Sequence, residues 1–478
     1  MKKTLLLLLS GFIISSSMAQ RLVSITLLAT KTPAQVATIV GASGGPYYGA
    51  RIYKVLYNTT DASHNATIAS GAVMVPVSAL CDTFPLLSYG HGTVLKKTEV
   101  PSAQYNNYDG LFFAAKGYIV SMPDYLGLGD NAGYHPFLHS ETEATATIDL
   151  MRTVRECLQD STLYRLNGKV FITGYSQGGH SAMATLKYIQ DHNLTEFNLV
   201  AGATLSGPYS LSRAQLKVYD DSVYSYNAFT PYVINSYQTV YGNLYSNINN
   251  YYDSPYNTNI PPYLSGNSTF NSLNAILPVN AFAFMQDSVL TNLLADTILH
   301  KHPLKRDLML NDNYSWKPLM PLRICYCGSD PLVLPGNSIM ARDSMVAKGA
   351  TNVSLVNVLQ TGDHFTCFTP ALTNARTFFN SFRNDCSKPV GISKVTENHF
   401  DRIKLFPNPA STFITIKTAL IIKQVEIIDV NGKIILFQGV PLNTALNLNI
   451  ETIAMGLYTL KCTDEQGNIY FDKLTVFK

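Results

Sequence analysis

The chain has 478 residues, of which 46% are hydrophobic and 14% are charged, and its formal net charge is only +3 at pH 7. This length allows one large domain with a smaller one, or three small domains. Lysine and arginine residues are scattered along the chain without a basic stripe, so we expect no nucleic-acid partner.

The first 19 residues have the composition of a signal peptide, which we assign to residues 1–19. Lys2 and Lys3 precede an apolar run over residues 5–14, and the small residues Ser17 and Ala19 come shortly before Gln20. The apolar run is too short to span a bilayer, and no later stretch approaches about 18 consecutive apolar residues. We therefore predict an exported protein, secreted or at the cell surface, without a transmembrane segment.

Strand-like and helix-like segments alternate between residues 51 and 205. Residues 51–57 and 68–75 are rich in β-formers around a polar turn, which predicts an antiparallel hairpin at a sheet edge. The later segments are predicted strands at residues 84–89, 117–122, 170–173 and 198–205, and a predicted amphipathic helix at residues 143–158. This alternation predicts an α/β fold with a mostly parallel central sheet flanked by helices.

The strand rhythm stops after residue 208 and resumes only at residues 322–327 and 353–359. A connection this long between neighbouring strands exceeds the usual range of about 2 to 6 residues, so it should be a structured insertion. We place a cap over the active site at about residues 209–320, because the loops that follow strands in such sheets build the sites. The first half is rich in tyrosine and asparagine, residues 279–294 are helix-like and apolar, and residues 282–294 are the expected wall of a pocket.

The composition changes again near the C-terminus. Residues 389–400 are polar and are interpreted as a linker after a main domain at residues 20–388. Beyond the linker, short β-rich runs alternate with turn signals, which predicts a small all-β sandwich at residues 401–478.

A nucleophile is predicted at Ser176, within residues 174–179, GYSQGG. An apolar, β-branched run precedes this segment and a helical pattern follows it, so the serine lies on a sharp turn between strand and helix. Gly174 and Gly178 lack side chains at the two positions where strand and helix must approach each other closely. A second match to the same pattern, around Ser43, leads into Pro46 and two tyrosines instead of a helix, and we reject it for that reason.

The partners of the serine are predicted from chain order, since the acid and then the histidine should follow the nucleophile in this kind of sheet. Asp330 comes directly after the predicted strand at residues 322–327, and His364 follows the strand at residues 353–359. A histidine accepts the serine proton, and a carboxylate orients the histidine and stabilises its charged form. Asp363 is interpreted as a turn residue and Asp124 as a residue that holds its loop through hydrogen bonds.

Other histidines precede the acid or lie on the nucleophile helix, and chain order excludes them as the base. They are His91, His135, His139, His180 and His192.

Two backbone N–H groups should bind the negative oxygen of the tetrahedral intermediate. Gln177, directly after the nucleophile, provides one at a helix start. The second comes from the glycine-rich loop after the strand at residues 84–89, where Thr93 or Gly92 is the candidate.

The seven cysteines show no dense disulfide framework. Cys325 and Cys327 would share one face of a strand about 7 Å apart, too far for a mutual disulfide, and we interpret both, with Cys157, as small buried apolar residues. The pairing we predict is Cys367 with Cys386. No cluster of histidine and cysteine has the spacing of metal ligands, so we expect no metal site.

Together, the motifs of the main domain resemble the α/β-hydrolase superfamily. They are GHGT at residues 90–93, PDYLGLG at 123–129, YHPF at 134–137, GYSQGG at 174–179, GSDPLV at 328–333 and GDH at 362–364. Within the superfamily, residues 51–382 are most similar to the secretory lipases and esterases of the yeast lipase A type. The resemblance implies an α/β-hydrolase fold, a triad of Ser176, Asp330 and His364, a cap over an acyl pocket, small-molecule or lipid ester substrates and no cofactor.

The C-terminal segment resembles the sorting domain of the type IX secretion system of Bacteroidetes bacteria. The matching pieces are FPNPAS at residues 406–411, IDVNGK at 428–433 and GLYTLK at 456–461. The resemblance implies the type IX secretion machinery as a partner.

From these observations we predict a secreted serine hydrolase that cleaves carboxylic esters. Two alternatives remain open at this point. One is a secreted serine peptidase of the prolyl-oligopeptidase type, since the same triad cleaves amides. The other is a catalytically inactive hydrolase fold that binds at the cell surface.

Overall fold

The computed structural model describes residues 21–41, 47–78, 81–159, 161, 164–219, 223–383, 403–430, 432–465 and 469–478. The predicted signal peptide, the predicted linker, Ser43 and Cys386 lie outside these residues. The chain forms two compact units, Met1–Ser387 and Lys388–Lys478.

Nine strands of the first unit form one sheet. They are β1 (Leu22–Lys31), β2 (Gly49–Thr60), β3 (Ala66–Val77), β4 (Thr83–Gly90), β5 (Ile119–Pro123), β6 (Arg165–Tyr175), β7 (Asn198–Leu205), β8 (Leu322–Cys327) and β9 (Val353–Leu359). Their order is β1-β2-β3-β5-β4-β6-β7-β8-β9. All pairings from β5 to β9 are parallel, whereas β1, β2, β3 and β5 pair antiparallel. The predicted α/β-hydrolase fold is confirmed.

The sheet edge differs from the prediction in one respect. The predicted hairpin is present as β2 and β3, but β1 pairs along β2 as an additional edge strand that the sequence did not reveal. Val23, Ile25 and Leu27 of β1 alternate with polar residues as in a strand, but each of the three is more than 40% exposed, so the alternation does not mark a buried face. Backbone pairing with β2 is what defines it.

The helices of the first unit are α1 (Pro33–Ile39), α2 (Tyr108–Ala114), α3 (Ser140–Gln159), α4 (Gln177–Asp191), α5 (Phe229–Tyr241), α6 (Tyr256–Asn259), α7 (Phe270–Asn274), α8 (Asp287–Ala295), α9 (Pro303–Leu310), α10 (Gly336–Ala347) and α11 (Phe368–Asn380). One apolar core contains Met151 of α3, Met183 of α4 and Met345 of α10, and a second contains Phe113 of α2 and Phe379 of α11. Both faces of the sheet are therefore covered, as parallel strands require. Among the residues described, no helix is long and apolar enough to cross a membrane.

The segment between β7 and β8 forms an inserted substructure, which we call the cap. It contains α5 to α9 joined by short 3-10 turns and has an apolar core of its own, in which Tyr237, Phe284 and Leu290 are fully buried. The cap is thus a packed substructure and not a loop. Tyrosine contributes much of its interior, so the tyrosine-rich composition of the sequence reflects packing inside the cap.

The second unit is all-β, as predicted. Its strands are β10 (Ile403–Phe406), β11 (Phe413–Ile428), β12 (Ile434–Asn449), β13 (Gly456–Asp464) and β14 (Ile469–Val476), and all pairings are antiparallel. The sequence predicted two short runs where β11 is one long strand with register shifts between Lys417 and Gln424. Ile414, Val425 and Leu460 belong to a separate apolar core.

Candidate active site

Ser176 lies at the turn between β6 and α4, as the sequence predicted. Its backbone has φ 61° and ψ −122°, in the left-handed region that non-glycine residues rarely adopt. Such a conformation costs about 1–3 kcal/mol and persists only where the surroundings impose it. Here the backbone N–H of Ser176 donates to the carbonyl of Leu205 on the neighbouring strand, 2.9 Å away.

Three glycines allow the strand and helix to approach this closely. A Cβ atom on Gly178 would lie 1.8 Å from the carbonyl oxygen of Gly90, and one on Gly174 would lie 2.2 Å from the carbonyl oxygen of Gly178. No side chain fits at these positions. We call this strand–turn–helix unit around Ser176 the elbow. The neighbouring strand β4 takes part in it through Gly90, a contact that the local sequence pattern did not specify.

The structure brings Ser176, His364 and Asp330 together at the carboxyl ends of their strands. His364 Nε2 is 2.9 Å from Ser176 Oγ, and His364 Nδ1 is 2.6 Å from Asp330 Oδ2. All three side chains are buried to more than 90%. The geometry lets the serine donate its proton to His364 while the carboxylate holds the other ring nitrogen in its protonated form.

Asp330 is fixed on its second oxygen as well. Asp330 Oδ1 accepts hydrogen bonds from the backbone N–H groups of Leu332 at 3.0 Å and Val333 at 2.9 Å. Both carboxylate oxygens therefore have donors, and the orientation of the group toward His364 is determined by its own loop.

The other acidic candidates lie in different surroundings. Asp363 accepts hydrogen bonds from the backbone and the hydroxyl of Thr366, both at 2.7 Å, and closes a local turn. Asp124 is fully buried and accepts from the Ser70 hydroxyl at 2.6 Å and from the Ser102 backbone at 3.0 Å. Neither carboxylate contacts the catalytic histidine candidate.

A disulfide joins the two segments that carry Asp330 and His364. Cys327, at the end of β8, is bonded to Cys367, at the start of α11, with the Cα atoms 5.8 Å apart. The predicted pairing of Cys367 with Cys386 was therefore wrong, and Cys327 is not a free apolar residue as we expected. The reason is topological: β8 and β9 are neighbours in the sheet, so the loops that follow them meet, although 40 residues separate the cysteines.

Of the other two cysteines predicted to be buried and free, one agrees fully with the structure and one only in part. Cys325 is free and buried, as expected, while Cys157 is free but only half-buried. Cys81 is disulfide-bonded.

The residues with the candidate oxyanion donors line the same spaces as Ser176. Thr93, in the loop after β4, lines an inner cavity together with Ser176 and Gln177, and Gly92 lies with Ser176 along an outer cleft. The ring of His91 is 2.7 Å from the Gly92 carbonyl, which ties down this loop. Gln177 begins α4, where backbone N–H groups have no partner within the helix.

The inner cavity extends from Ser176 into the cap, and its walls are mostly apolar. Side chains of both the cap and the main sheet's loops contribute, among them Phe137, Leu138, Leu211, Val233, Leu293 and Leu304. Its volume, counted as the space open to the centre of a water molecule, is about 80 Å³. The sequence predicted residues 282–294 as the wall, but only Leu293 of that segment lines the cavity. The tyrosine-rich first half of the cap and α9 provide most of the lining.

The outer cleft is larger and more polar. Its volume, counted in the same way, is about 870 Å³. Amide side chains such as Gln104, Asn271 and Asn274 line it together with Ser176 and His364. Ser176 thus lies between a narrow apolar cavity and a wide polar cleft.

Tyrosine hydroxyl groups fasten the cap to the loops around the site. Tyr232 donates to the carbonyl of Val94 at 2.9 Å, Tyr237 to that of Leu138 at 3.1 Å, and Tyr224 to that of Leu332 at 3.2 Å. All three rings are more than 90% buried. Each buried hydroxyl would lose its partner if the cap moved away, so these contacts hold the cap in place.

The sequence missed a buried polar cluster behind the elbow. His135 and His180, which chain order excluded as bases, lie there with Glu143 and the side chain of Gln177. The only sequence signal was an acidic residue beside the apolar face of α3, and that position gave no indication of its partners.

Two family models match the chain. Residues 102–383 match the model described as "Secretory lipase", and residues 404–476 match the "Secretion system C-terminal sorting domain". A search of curated proteins found no similar sequence.

Several solved structures are similar to the first unit. A rice cell wall degrading esterase, LipA from Xanthomonas oryzae, is 28% identical with a TM-score of 0.70, over 76% of this chain and 99% of that one. A putative hydrolase from Legionella pneumophila is 25% identical with a TM-score of 0.71, over 77% of this chain and 99% of that one. Candida antarctica lipase A is 17% identical with a TM-score of 0.57, over 77% of this chain and 83% of that one, which indicates a shared fold.

Replacing Cys327 and Cys367 together by alanine should lower the free energy of unfolding by roughly 4 kcal/mol, since the bridge closes a loop of about 40 residues. Chemical denaturation of the purified protein measures the change. The matched control is Cys157→Ser, which removes a free thiol and should change stability far less. Equal stability of the double variant and the wild type would contradict the assigned bridge.

Proposed function

The chain belongs to the secretory lipase family, and we propose that it cleaves carboxylic esters through an acyl-enzyme on Ser176, with His364 as base and Asp330 as its orienting carboxylate. The family and the sorting domain identify a secreted or cell-surface carboxylester hydrolase. The observation that carries the catalytic assignment is the unbroken chain of hydrogen bonds from Ser176 Oγ through His364 to Asp330 at the mouth of the inner cavity.

In the first half of the reaction, Ser176 Oγ attacks the ester carbonyl carbon while its proton passes to His364 Nε2. The carbonyl oxygen becomes an oxyanion, which the backbone N–H groups of Gln177 and of Thr93 or Gly92 stabilise. The intermediate then expels the alkoxide, which takes the proton from His364 and leaves as the alcohol. The acyl group remains on Ser176.

In the second half, a water molecule loses a proton to His364 and attacks the acyl carbon. Collapse of the second intermediate returns the proton to Ser176 Oγ and releases the carboxylic acid. Asp330 remains ionised throughout and stabilises the positive ring of His364 in both steps.

The two spaces beside Ser176 suggest how the ester is oriented. The narrow apolar cavity suits an acyl chain, and the wide polar cleft suits the alcohol portion. Because tyrosine hydroxyl groups fasten the cap to the surrounding loops, we propose that the acyl pocket has a fixed size and does not require the cap to open at a lipid surface.

The sorting domain adds a partner for export. We propose that the second unit is recognised by the type IX secretion machinery and contributes nothing to the chemistry, because every residue proposed for catalysis lies in the first unit.

Ser176→Ala should abolish labelling by a fluorophosphonate probe and lower kcat by about 10⁴-fold or more, while thermal unfolding stays nearly unchanged. The control is Ser43→Ala, which alters the other match to the elbow pattern and should leave both labelling and kcat as they are. If Ser43→Ala removes activity and Ser176→Ala does not, the nucleophile is misassigned.

Deleting residues 401–478 should retain the enzyme inside the cell but leave the activity of the purified protein intact. Immunodetection in medium and cell fractions, together with assays of the purified forms, measures both effects. Equal amounts of the two forms in the medium would exclude a sorting role for the segment.

Activity on p-nitrophenyl esters should rise from acetate to roughly butyrate or octanoate and then fall. Each methylene that the cavity buries contributes about 0.8 kcal/mol, but only until the cavity is full. Initial rates across the ester series, with an aminoacyl-nitroanilide series to detect amide cleavage, test this directly. Rates that climb up to long-chain triglycerides, or that surge at an oil-water interface, would show a cap that opens instead.

A further inference from the structure

The side chain of Gln177 is held on two sides. Its Nε2 donates to Glu143 Oε1 at 2.9 Å and is 2.7 Å from His135 Nε2. His135 Nδ1 lies 2.7 Å from the carbonyl of Leu126, so Nδ1 carries the hydrogen and Nε2 is left as an acceptor. Burial lowers the pKa of His135 to about 3, which keeps the ring neutral. Both amide hydrogens of Gln177 are therefore used.

Glu143 is the centre of the buried cluster. Its side chain is fully buried on α3, and its second oxygen is 2.7 Å from His180 Nδ1 on α4. A buried carboxylate is stable only when it is paired and hydrogen-bonded. Here Glu143 accepts from His180 on one oxygen and from Gln177 on the other.

His180 extends the cluster to the cap. Its Nε2 lies 3.0 Å from the Asn311 carbonyl and 3.0 Å from the side-chain amide of Asn313, where the cap returns toward β8. Burial by itself lowers the pKa of His180, but the Glu143 carboxylate and the hydrogen bonds to Glu143 and Asn311 raise it above its usual value. The Glu143 carboxylate therefore favours the protonated form of His180.

The place of Gln177 in the chain explains how this cluster can affect catalysis. Gln177 directly follows Ser176, whose φ of 61° places the connecting peptide in a conformation that the chain would not adopt alone. The backbone N–H of Gln177 must point at the oxyanion within a few tenths of an ångström to be effective. The carbonyl of that peptide accepts hydrogen bonds from the backbone N–H groups of Gly179 at 2.9 Å and His180 at 3.2 Å, and the side chain of Gln177 adds an anchor to α3.

We propose that Glu143, supported by His180, is a positioning residue that fixes the oxyanion donor Gln177 through the Gln177 side-chain amide. The inference rests on the proposed function, because it assigns a role in the oxyanion hole of that site. None of these three side chains takes part in proton transfer. They determine the direction of one backbone N–H group.

The test uses substitutions that preserve size but remove the polar link in the full-length protein. Gln177→Met keeps the backbone N–H and loses the amide, and Glu143→Met removes the acceptor. Each should lower kcat for p-nitrophenyl butyrate by about 10- to 100-fold while KM changes by less than about 3-fold, because the lost stabilisation belongs to the transition state. The double variant should be no slower than the slower single variant, since both act through one link.

Matched controls separate this role from a general loss of packing. Thr185 on α4 and Thr153 on α3 are fully buried, and each donates a hydrogen bond of 2.7 Å to a helix carbonyl. Thr185→Val and Thr153→Val should lower thermal stability but keep kcat within about 2-fold. If the controls lose as much kcat as the methionine variants, the proposal is overturned.

A conservative variant gives a second, independent measurement. In Glu143→Gln, the amide oxygen still accepts from Gln177 while the amide nitrogen donates to a neutral His180, so kcat should stay within about 3-fold of wild type. A loss as large as that of Glu143→Met would overturn the hydrogen-bonded link, and so would additive losses in the double methionine variant. Should Glu143→Met not fold, an unchanged kcat in Gln177→Met would be decisive against the proposal.

Activity measurements distinguish a wrong catalytic function from a wrong positioning role. If Ser176→Ala retains activity and probe labelling, the proposed function itself is wrong. If Ser176→Ala is inactive and Gln177→Met has wild-type kcat, the function stands and only the positioning role is lost.

Discussion

The whole site depends on the close approach of two backbones, β4 at Gly90 and α4 at Gly178. The space between them admits no Cβ atom, and this contact brings the start of α4 against the neighbouring strand. Ser176 is consequently forced into a left-handed conformation that presents its hydroxyl at the end of the sheet. The strain of the elbow is therefore a property of the packed sheet and helix together, and not of the turn alone.

Around this fixed point, three different kinds of constraint hold the other groups. Parallel pairing of β8 with β9 places the loops of Asp330 and His364 side by side, and the Cys327–Cys367 disulfide joins them covalently. Hydrogen bonds from Leu332 and Val333 orient the Asp330 carboxylate. These contacts orient the three side chains without a bound ligand, as the proposed stabilisation of a transition state requires.

The cap is joined to the same site by many hydrogen bonds. Its tyrosine rings fill its interior, and their hydroxyl groups donate to backbone carbonyls of the loops around Ser176. Its return segment reaches the elbow helix from behind through Asn311 and His180. A buried hydroxyl or imidazole that lost its partner would cost about 1–3 kcal/mol, so many small contacts together oppose separation of the cap from the sheet.

Much of the main architecture was readable from the sequence, because it rests on local patterns. The alternation of strands and helices predicted the α/β fold, and strands β7, β8 and β9 begin and end at the predicted residues. The order serine, acid, histidine selected Ser176, Asp330 and His364, which the structure brings within hydrogen-bond distance of one another. The C-terminal all-β unit was equally visible, since turn signals separate its strands.

Only the tertiary structure decided which residues that are distant in the chain come into contact. The disulfide partner of Cys367, the pairing of β1 with β2 and the lining of the inner cavity each depend on which elements become neighbours in space, and local periodicity does not specify them. The cluster of Glu143, His180 and Gln177 is the clearest example. The roles of these residues could not be read from the sequence, because a buried carboxylate on α3 is stable only beside donors that α4 supplies after the two helices have packed.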